Sequence, residues 1–243
     1  RGDGYQEADD AIVTWCVGHL VTMSYPEAYD PALKRWSLQT LPFLPKEFKY
    51  QVIDSVSKQF QIVSSLLNRP DVDIIYICTD SGREGEYIYR LVDQMAGVKG
   101  KTRKRVWIDS QTEEEILRGI REAKDWSEYD NLSASAYLRA KEDYLMGINF
   151  SRLLTLKYGN TVANYLKKDR TVVSVGRVMT CVLGMVVRRE REIRNFVKTP
   201  FYRVIGTFEH QGMTFDGEWK SVPGSRYFET PFLYKENGFK EKK

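Results

Sequence analysis

The stretch IIYICTDSGREGEYIYR, residues 74–90, constrains the fold of this chain more than any other. Four apolar residues, Ile74 to Ile77, run without polar alternation into an acidic, glycine-bearing turn, and a helical pattern follows at once. A strand of that kind is expected at the centre of a parallel sheet, covered on both faces. The helix is predicted to end at Gly97. KRVWID (104–109) reads as the next strand. TEEEILRGIREA (112–123) reads as a helix, with Thr112 as N-cap and Glu115 three residues on to complete a capping box. Strand, helix, strand, helix with short links predicts an α/β fold with a Rossmann-like parallel sheet.

Upstream, AIVTWCVGHLVTM (11–23) reads as a strand running into a turn. Residues 24–48 contain Pro26, Pro31, Pro42 and Pro45, too many for regular structure, and predict a loop that wraps a surface. Over 50–69, Val52, Val56, Phe60, Val63 and Leu67 fall at helical spacing. After about residue 127 two long helical stretches, 129–159 and 175–196, follow with no strand between them. Alternation returns from Thr199, as a strand or hairpin would give. A boundary near Trp126 to Tyr129 therefore separates a domain over 1–126 from a mainly helical domain over 127–243 that runs into a β segment.

A chain of 243 residues suffices for one large core or two modest ones. No apolar run approaches the roughly 18 residues of a membrane span, nor does the N-terminus resemble a signal peptide, so cytoplasmic residence is expected. Cys16, Cys78 and Cys181 are far apart, form no CxxC pair, and are expected as buried reduced thiols. Net charge is only +4, yet between Lys167 and Lys198 nine Lys and Arg face three acids. That local excess suits either a polyanion or a solvated helix face. RREREIR (188–194) has the i,i+3 and i,i+4 pairing of the second kind.

In open parallel sheets ligands bind beyond the carboxyl ends of the strands. Asp80 stands there, with Glu84 in the first turn of the helix and Glu86 beyond it. Grouped carboxylates repel unless a cation offsets them, and Mg²⁺ held by one or two acids, water and a phosphate would do so. The alternative is that Glu84 and Glu86 favour the positive helix N-terminus while Arg83 pairs locally. Neither G-x-G-x-x-G nor a P-loop occurs, so dinucleotide and ATP use are not indicated.

IIYICTDSGREGEYIYRLV resembles the acidic motif of a Toprim domain, and its DREGE-type wording resembles that of type IA DNA topoisomerases. VWIDSQTEEEI, ASAYLRAKEDYLMGINFSRLLT and SVGRVMTCVLGMVVRREREIRNF resemble successive segments of that family in the right order. VGHLVTMSYPEAYD with the following Trp36 and LPFLP resembles the topoisomerase III branch. The resemblance implies a Toprim domain lacking its first strand, followed by part of a helical domain that grips single-stranded DNA. It also implies a 5′-phosphotyrosine mechanism, with Mg²⁺ on the Toprim acids and no ATP. Carried over, Asp80, Glu84 and Arg83 are the catalytic candidates; Asp80 and Glu84 the metal candidates, with Glu86 as the acid that would compensate for Gly82; Ser174, Arg177 and Arg152 the DNA-binding candidates. Tyr144, Tyr158 and Tyr165 are offered for base stacking or for core packing.

Three departures from the family pattern bear on this. Gly82 stands where D-x-D-x-E has its middle acid, and Met179 where the signature has glutamine. The Y-x-R-T-[DE]-S context of the attacking tyrosine occurs nowhere among the fifteen tyrosines. The chain is thus expected to be a monomeric piece of an enzyme that does not cut DNA alone. A Toprim nuclease or primase would use the same acids, and a non-catalytic single-strand-binding module would need none.

Overall fold

The computed structural model describes residues 3–235 and 237–242. Near the N-terminus β1 (Tyr5–Glu7) pairs antiparallel with β2 (Ile12–Thr14), and β3 (Val21–Met23) pairs antiparallel with β4 (Tyr50–Val52). The strand expected over 11–23 is therefore two strands with different partners. Gly18 sits between them at φ 91°, a left-handed conformation that a side chain would strain. α1 (Ser57–Leu67) starts later than the apolar spacing predicts, because Tyr50–Val52 is drawn into the ladder with β3.

Next come β5 (Ile74–Ile77), α2 (Arg83–Ala96), β6 (Thr102–Arg105), α3 (Glu113–Arg121) and β7 (Lys124–Asp125). β5 and β6 run parallel, from Ile74 opposite Thr102 to Ile77 opposite Arg105, and β7 adds antiparallel to β6. The fold is mixed α/β, as expected. β5 is covered on one face only, since Ile75 and Ile77 are buried while Ile74 and Tyr76 are 45% and 43% exposed. Gly97 closes α2 in the left-handed conformation at φ 63°. Thr112 precedes α3, but its side chain makes no cap bond. Glu115 instead accepts the Asp109 N–H at 3.1 Å and pairs with Arg118, so the predicted capping box does not form.

α4 (Asp130–Tyr165) is a single helix of 36 residues. Its Ala136 joins Val21, Val63, Ile77, Tyr87, Leu91 and Val92 in the core, so β3, α1, β5, α2 and α4 share one apolar interior. Each Val, Leu or Ile among them contributes on the order of 1.5–3 kcal/mol by leaving water. The proline-bearing loop forms three short 3₁₀ turns, Pro26–Ala28, Pro31–Lys34 and Leu38–Thr40, and lies along α4. Asn149 accepts the Phe43 N–H at 2.6 Å and donates to its carbonyl at 2.9 Å, while the Tyr144 hydroxyl donates to Ser24 O at 2.6 Å.

α5 (Arg177–Arg194) follows without an intervening strand, as predicted. The chain divides into two compact units, Arg1–Cys181 and Val182–Lys243, with the border inside this helix. The second unit carries the hairpin β8 (Ile205–His210) and β9 (Met213–Glu218), which confirms the expected return of strand structure. Gln211 and Gly212 both have positive φ at its turn, the geometry that suits the strand twist. β10 (Leu233–Lys235) and β11 (Gly238–Phe239) form a second short pair. Among the described residues no helix is long and apolar enough to cross a membrane. All three cysteines are free, but only Cys16 is partly buried, and Cys78 and Cys181 are exposed, contrary to expectation.

Candidate active site and nucleic-acid interface

The acidic turn is set where β5 leaves the sheet and α2 begins. Thr79 Oγ1 donates to Gly85 O at 2.8 Å, and Ser81 Oγ accepts the Ile108 N–H at 2.9 Å. Gly85 lies against the turn so closely that a Cβ there would stand 2.1 Å from Asp80 O and 2.6 Å from Asp80 N. Glycine is therefore required at 85. Gly82 is different, because its backbone is extended (φ 178°, ψ 177°) and a Cβ there meets nothing within 4 Å. The fold would accept an acid at 82.

Asp80 is exposed at the strand end. Glu84 projects from the first turn of α2, its side chain 74% exposed, and His19 Nε2 lies 2.6 Å from its Oε1. His19 in turn meets the edge of Tyr87, with ring centroids 5.9 Å apart. Burial pushes the Tyr87 hydroxyl well above its ordinary pKa, with the Tyr50 and Tyr137 hydroxyls adding to the effect, so it stays protonated. Together with α4 these residues frame a cleft of about 460 Å³. His19, Arg83, Glu84 and Tyr87 line one side, while Ala136, Arg139, Ala140 and Asp143 of α4 line the other. The small alanines leave room, and the two arginines bring positive charge to it.

Arg177, the first residue of α5, reaches this cleft through Asp143. Its Nε and Nη2 donate to the two Asp143 carboxylate oxygens at 3.1 and 3.2 Å, a bidentate pair. The segment before it is clipped to α4 by hydroxyls, since Val173 N–H donates to Thr155 Oγ1 at 2.9 Å and Val175 N–H to Ser151 Oγ at 2.8 Å. Ser174, between the two clipped residues, is exposed. Arg188 to Arg194 form a solvated helix face, where Arg189 pairs with Glu192 and Arg194 with Glu190.

Two site candidates lie elsewhere. Glu86 is 1% exposed, its Oε1 bound by Arg90 at 2.8 Å and its Oε2 by Arg105 at 3.0 Å, so it faces inward as a counter-ion and not into the cleft. Arg152 is 5% exposed, donates to Leu33 O at 2.9 Å and lies 5.4 Å from the Trp36 ring centroid. It anchors the proline-bearing loop. Of the three tyrosines, Tyr144 is packed beneath that loop, whereas Tyr158 and Tyr165 are 47% and 87% exposed.

Comparison with known proteins decides the family. The family model for DNA topoisomerase matches residues 127–232. DNA topoisomerase 3 of Bacillus subtilis (strain 168) is 40% identical over 228 residues, covering 94% of this chain and 29% of that protein. DNA topoisomerase 3 of Bacillus licheniformis is 40% identical over the same shares, and that of Shouchella clausii is 41% identical over 215 residues, 88% of this chain and 28% of the relative. The chain belongs to the type IA DNA topoisomerases. It is topoisomerase III-like, and it spans less than a third of the length of the curated relatives it matches.

For a divalent metal, this topoisomerase chain offers two carboxylates at the turn, Asp80 and Glu84. Among the described residues no group of three or more His, Cys, Asp and Glu stands close enough to hold a metal ion. An all-protein cage is thus not formed. Two acids fit an ion whose remaining ligands are water and a phosphate, the usual way in which Mg²⁺ is held. Four further residues belong to this candidate site: His19, Arg139 and Asp143 in the cleft, and Arg105 beneath the turn. His19, one of only two histidines, was open to notice; Arg139 and Asp143 lie among many charges on a long helix and carry no local signal.

Proposed function

We propose that the chain is the part of a type IA topoisomerase that grips single-stranded DNA and presents the metal-binding acids to its phosphodiester. In this reading residues 1–126 are a Toprim domain and 127–243 belong to the helical strand-binding domain. The observation that carries it is the shared cleft, in which Glu84 and Arg83 face Arg139 and the Asp143–Arg177 pair. Asp80 and Glu84 would hold Mg²⁺, which when bound neutralises phosphate charge during cleavage and resealing. Arg83, Arg139 and Arg177 bind phosphate oxygens, and the exposed Ser174, three residues before Arg177, adds a hydroxyl donor. Asp143 keeps the Arg177 fork oriented while it does so. The tyrosine that forms the 5′-phosphotyrosine link is supplied from outside these 243 residues, whose tyrosines lack its motif. Resealing from that link conserves the phosphodiester energy, so no ATP is needed, and the strand-binding unit acts as a monomer.

Fluorescence anisotropy of a labelled single-stranded oligonucleotide over a salt series tests this. Three phosphate contacts from Arg83, Arg139 and Arg177 predict a log–log salt slope of about −2, and Arg177→Ala should make it shallower by about 0.7. Affinity should rise with Mg²⁺ and lose that rise in Glu84→Gln. Equal affinity for duplex and single strand, or a slope unchanged by Arg177→Ala, would sink the reading. A nuclease or primase using the same acids is the rival; the match of residues 127–232 to the DNA topoisomerase family speaks against it.

A further inference from the structure

Among the described residues, the two most deeply buried charges lie directly beneath the acidic turn. Arg105, the last residue of β6, is 0% exposed, and Glu86 is 1% exposed. The Arg105 guanidinium spreads along the end of β5: Nη1 donates to Ile77 O at 3.1 Å, Thr79 O at 2.7 Å and Val106 O at 3.0 Å. Nη2 donates to Asp80 O, and Nε donates to Glu86 Oε2 at 3.0 Å. Ile77 O also accepts the Val106 N–H at 3.0 Å and Asp80 O the Gly82 N–H at 2.9 Å, so the guanidinium reinforces these two carbonyls and gives Thr79 O, beyond the end of the ladder, the partner that buried backbone requires. Glu86 is held in turn by Arg90, whose guanidinium lies 4.1 Å from the Trp126 ring centroid and donates to Trp126 O at 2.8 Å.

A buried ion pair is a poor way to stabilise a sheet, because apolar side chains of similar volume do as well or better. Its worth here is geometric. A planar fork with five donors can bind several carbonyls of one turn at once, and a lysine ammonium cannot reproduce that arrangement. We propose that Arg105 is a positioning residue for the acidic turn. It grips the backbone from which Asp80 projects, with Glu86 as its counter-ion, so that the Asp80 carboxylate is held ready for a divalent cation. This rests on reading Asp80 as a metal ligand.

The test compares Arg105→Lys with Asp93→Asn in the full chain. Asp93 pairs with Arg103 at 2.9 Å, within the same helix and strand as Glu86 and Arg105, and its carboxylate makes no bond to the turn. Two quantities are read beside the melting temperature: amide hydrogen exchange over residues 79–82, and Mn²⁺ affinity by water-proton relaxation. Arg105→Lys should weaken Mn²⁺ binding about tenfold, the usual effect of losing an outer-shell partner of a metal site. It should speed exchange in the turn by about tenfold, as loss of a charge-assisted hydrogen bond implies. Asp93→Asn should lower the melting temperature and leave both quantities near wild type. The proposal is overturned if Arg105→Lys keeps wild-type exchange at 79–82, or if Asp93→Asn alters the turn as much. If Arg105→Lys does not melt cooperatively, Glu86→Gln is read in the same assays with the same direction expected. Wild-type protein that binds no Mn²⁺ sensitive to Asp80→Asn would refute the metal reading, while the exchange arm still decides whether Arg105 holds the turn.

Discussion

Gly85→Ala tests whether the acidic turn is seated on α2 as described. The added methyl would sit 2.1 Å from Asp80 O, about 1.3 Å short of ordinary van der Waals contact, with Asp80 N and C at 2.6 and 2.8 Å. All three neighbours are backbone atoms, so no side-chain rotation relieves the clash. The turn or the start of α2 must retreat, and two bonds go with it: Thr79 Oγ1 to Gly85 O, and Arg105 to Asp80 O. One neutral hydrogen bond and one charge-assisted one together amount to about 3 kcal/mol. For a unit of this size that corresponds to a fall of roughly 6 to 12 °C in melting temperature. Gly82→Ser is the control, three residues away, in open space on extended backbone at the N-cap of α2. It should be neutral or stabilise by up to about 1 kcal/mol, through a better cap and a less flexible unfolded chain. Both variants are followed by thermal melting in near-ultraviolet circular dichroism. A Gly85→Ala protein that melts within 2 °C of wild type (about 1 kcal/mol or less on the same scale) would refute this packing, as would an equal loss in Gly82→Ser.

Arg152 and Arg177 should separate cleanly. Arg152→Met keeps the apolar stem but removes the bond to Leu33 O and the cation over Trp36, at a cost of about 2 kcal/mol, and oligonucleotide affinity of the folded variant should stay within about twofold. Arg177→Ala should do the reverse, leaving melting almost unchanged because its ion pair is exposed and screened, while binding weakens. Equal effects of the two on affinity would count against the placement of Arg152 beneath the loop. The Arg118 guanidinium and the Asp109 N–H hold Glu115 down from 4.5 to about 2. Its contribution to stability is therefore complete above pH 4.5 and lost as pH falls toward 2. Urea midpoints between pH 2.5 and 6 should show a shallower acid decline in Glu115→Gln, and matching curves would exclude the contribution.

Local patterns were most legible where a chain segment decides its own conformation. The α2 pattern with Gly97 at its end, the long helices over 130–165 and 177–194 and the return of strand alternation after Thr199 all follow from residues within a few positions of one another. Reading failed where a distant partner intervened. Val52 fits a helix by spacing but pairs with Val21 across the β3–β4 ladder, and Thr112 has the right position for a capping box whose Glu115 is taken by Arg118. β5 carries no polar alternation, yet only one of its faces is covered.

The candidate site divides in the same way. Sequence alone determined that an acidic, glycine-bearing turn follows an apolar strand, that Asp80 and Glu84 belong to it, and that the motifs run in topoisomerase order. Only tertiary structure decided the fate of each charge. Glu86 and Glu84 are two residues apart on α2, which turns them about 200° away from each other around the helix axis. One therefore faces the cleft and the other the interior, where Arg105 meets it from a different strand. Arg152 and Arg177 look alike in sequence, but one is covered by a loop from 119 residues upstream and the other sits on a carboxylate at the rim of the cleft. Burial and pairing depend on which surfaces the fold brings together, and a charge pattern along one chain segment does not contain that information.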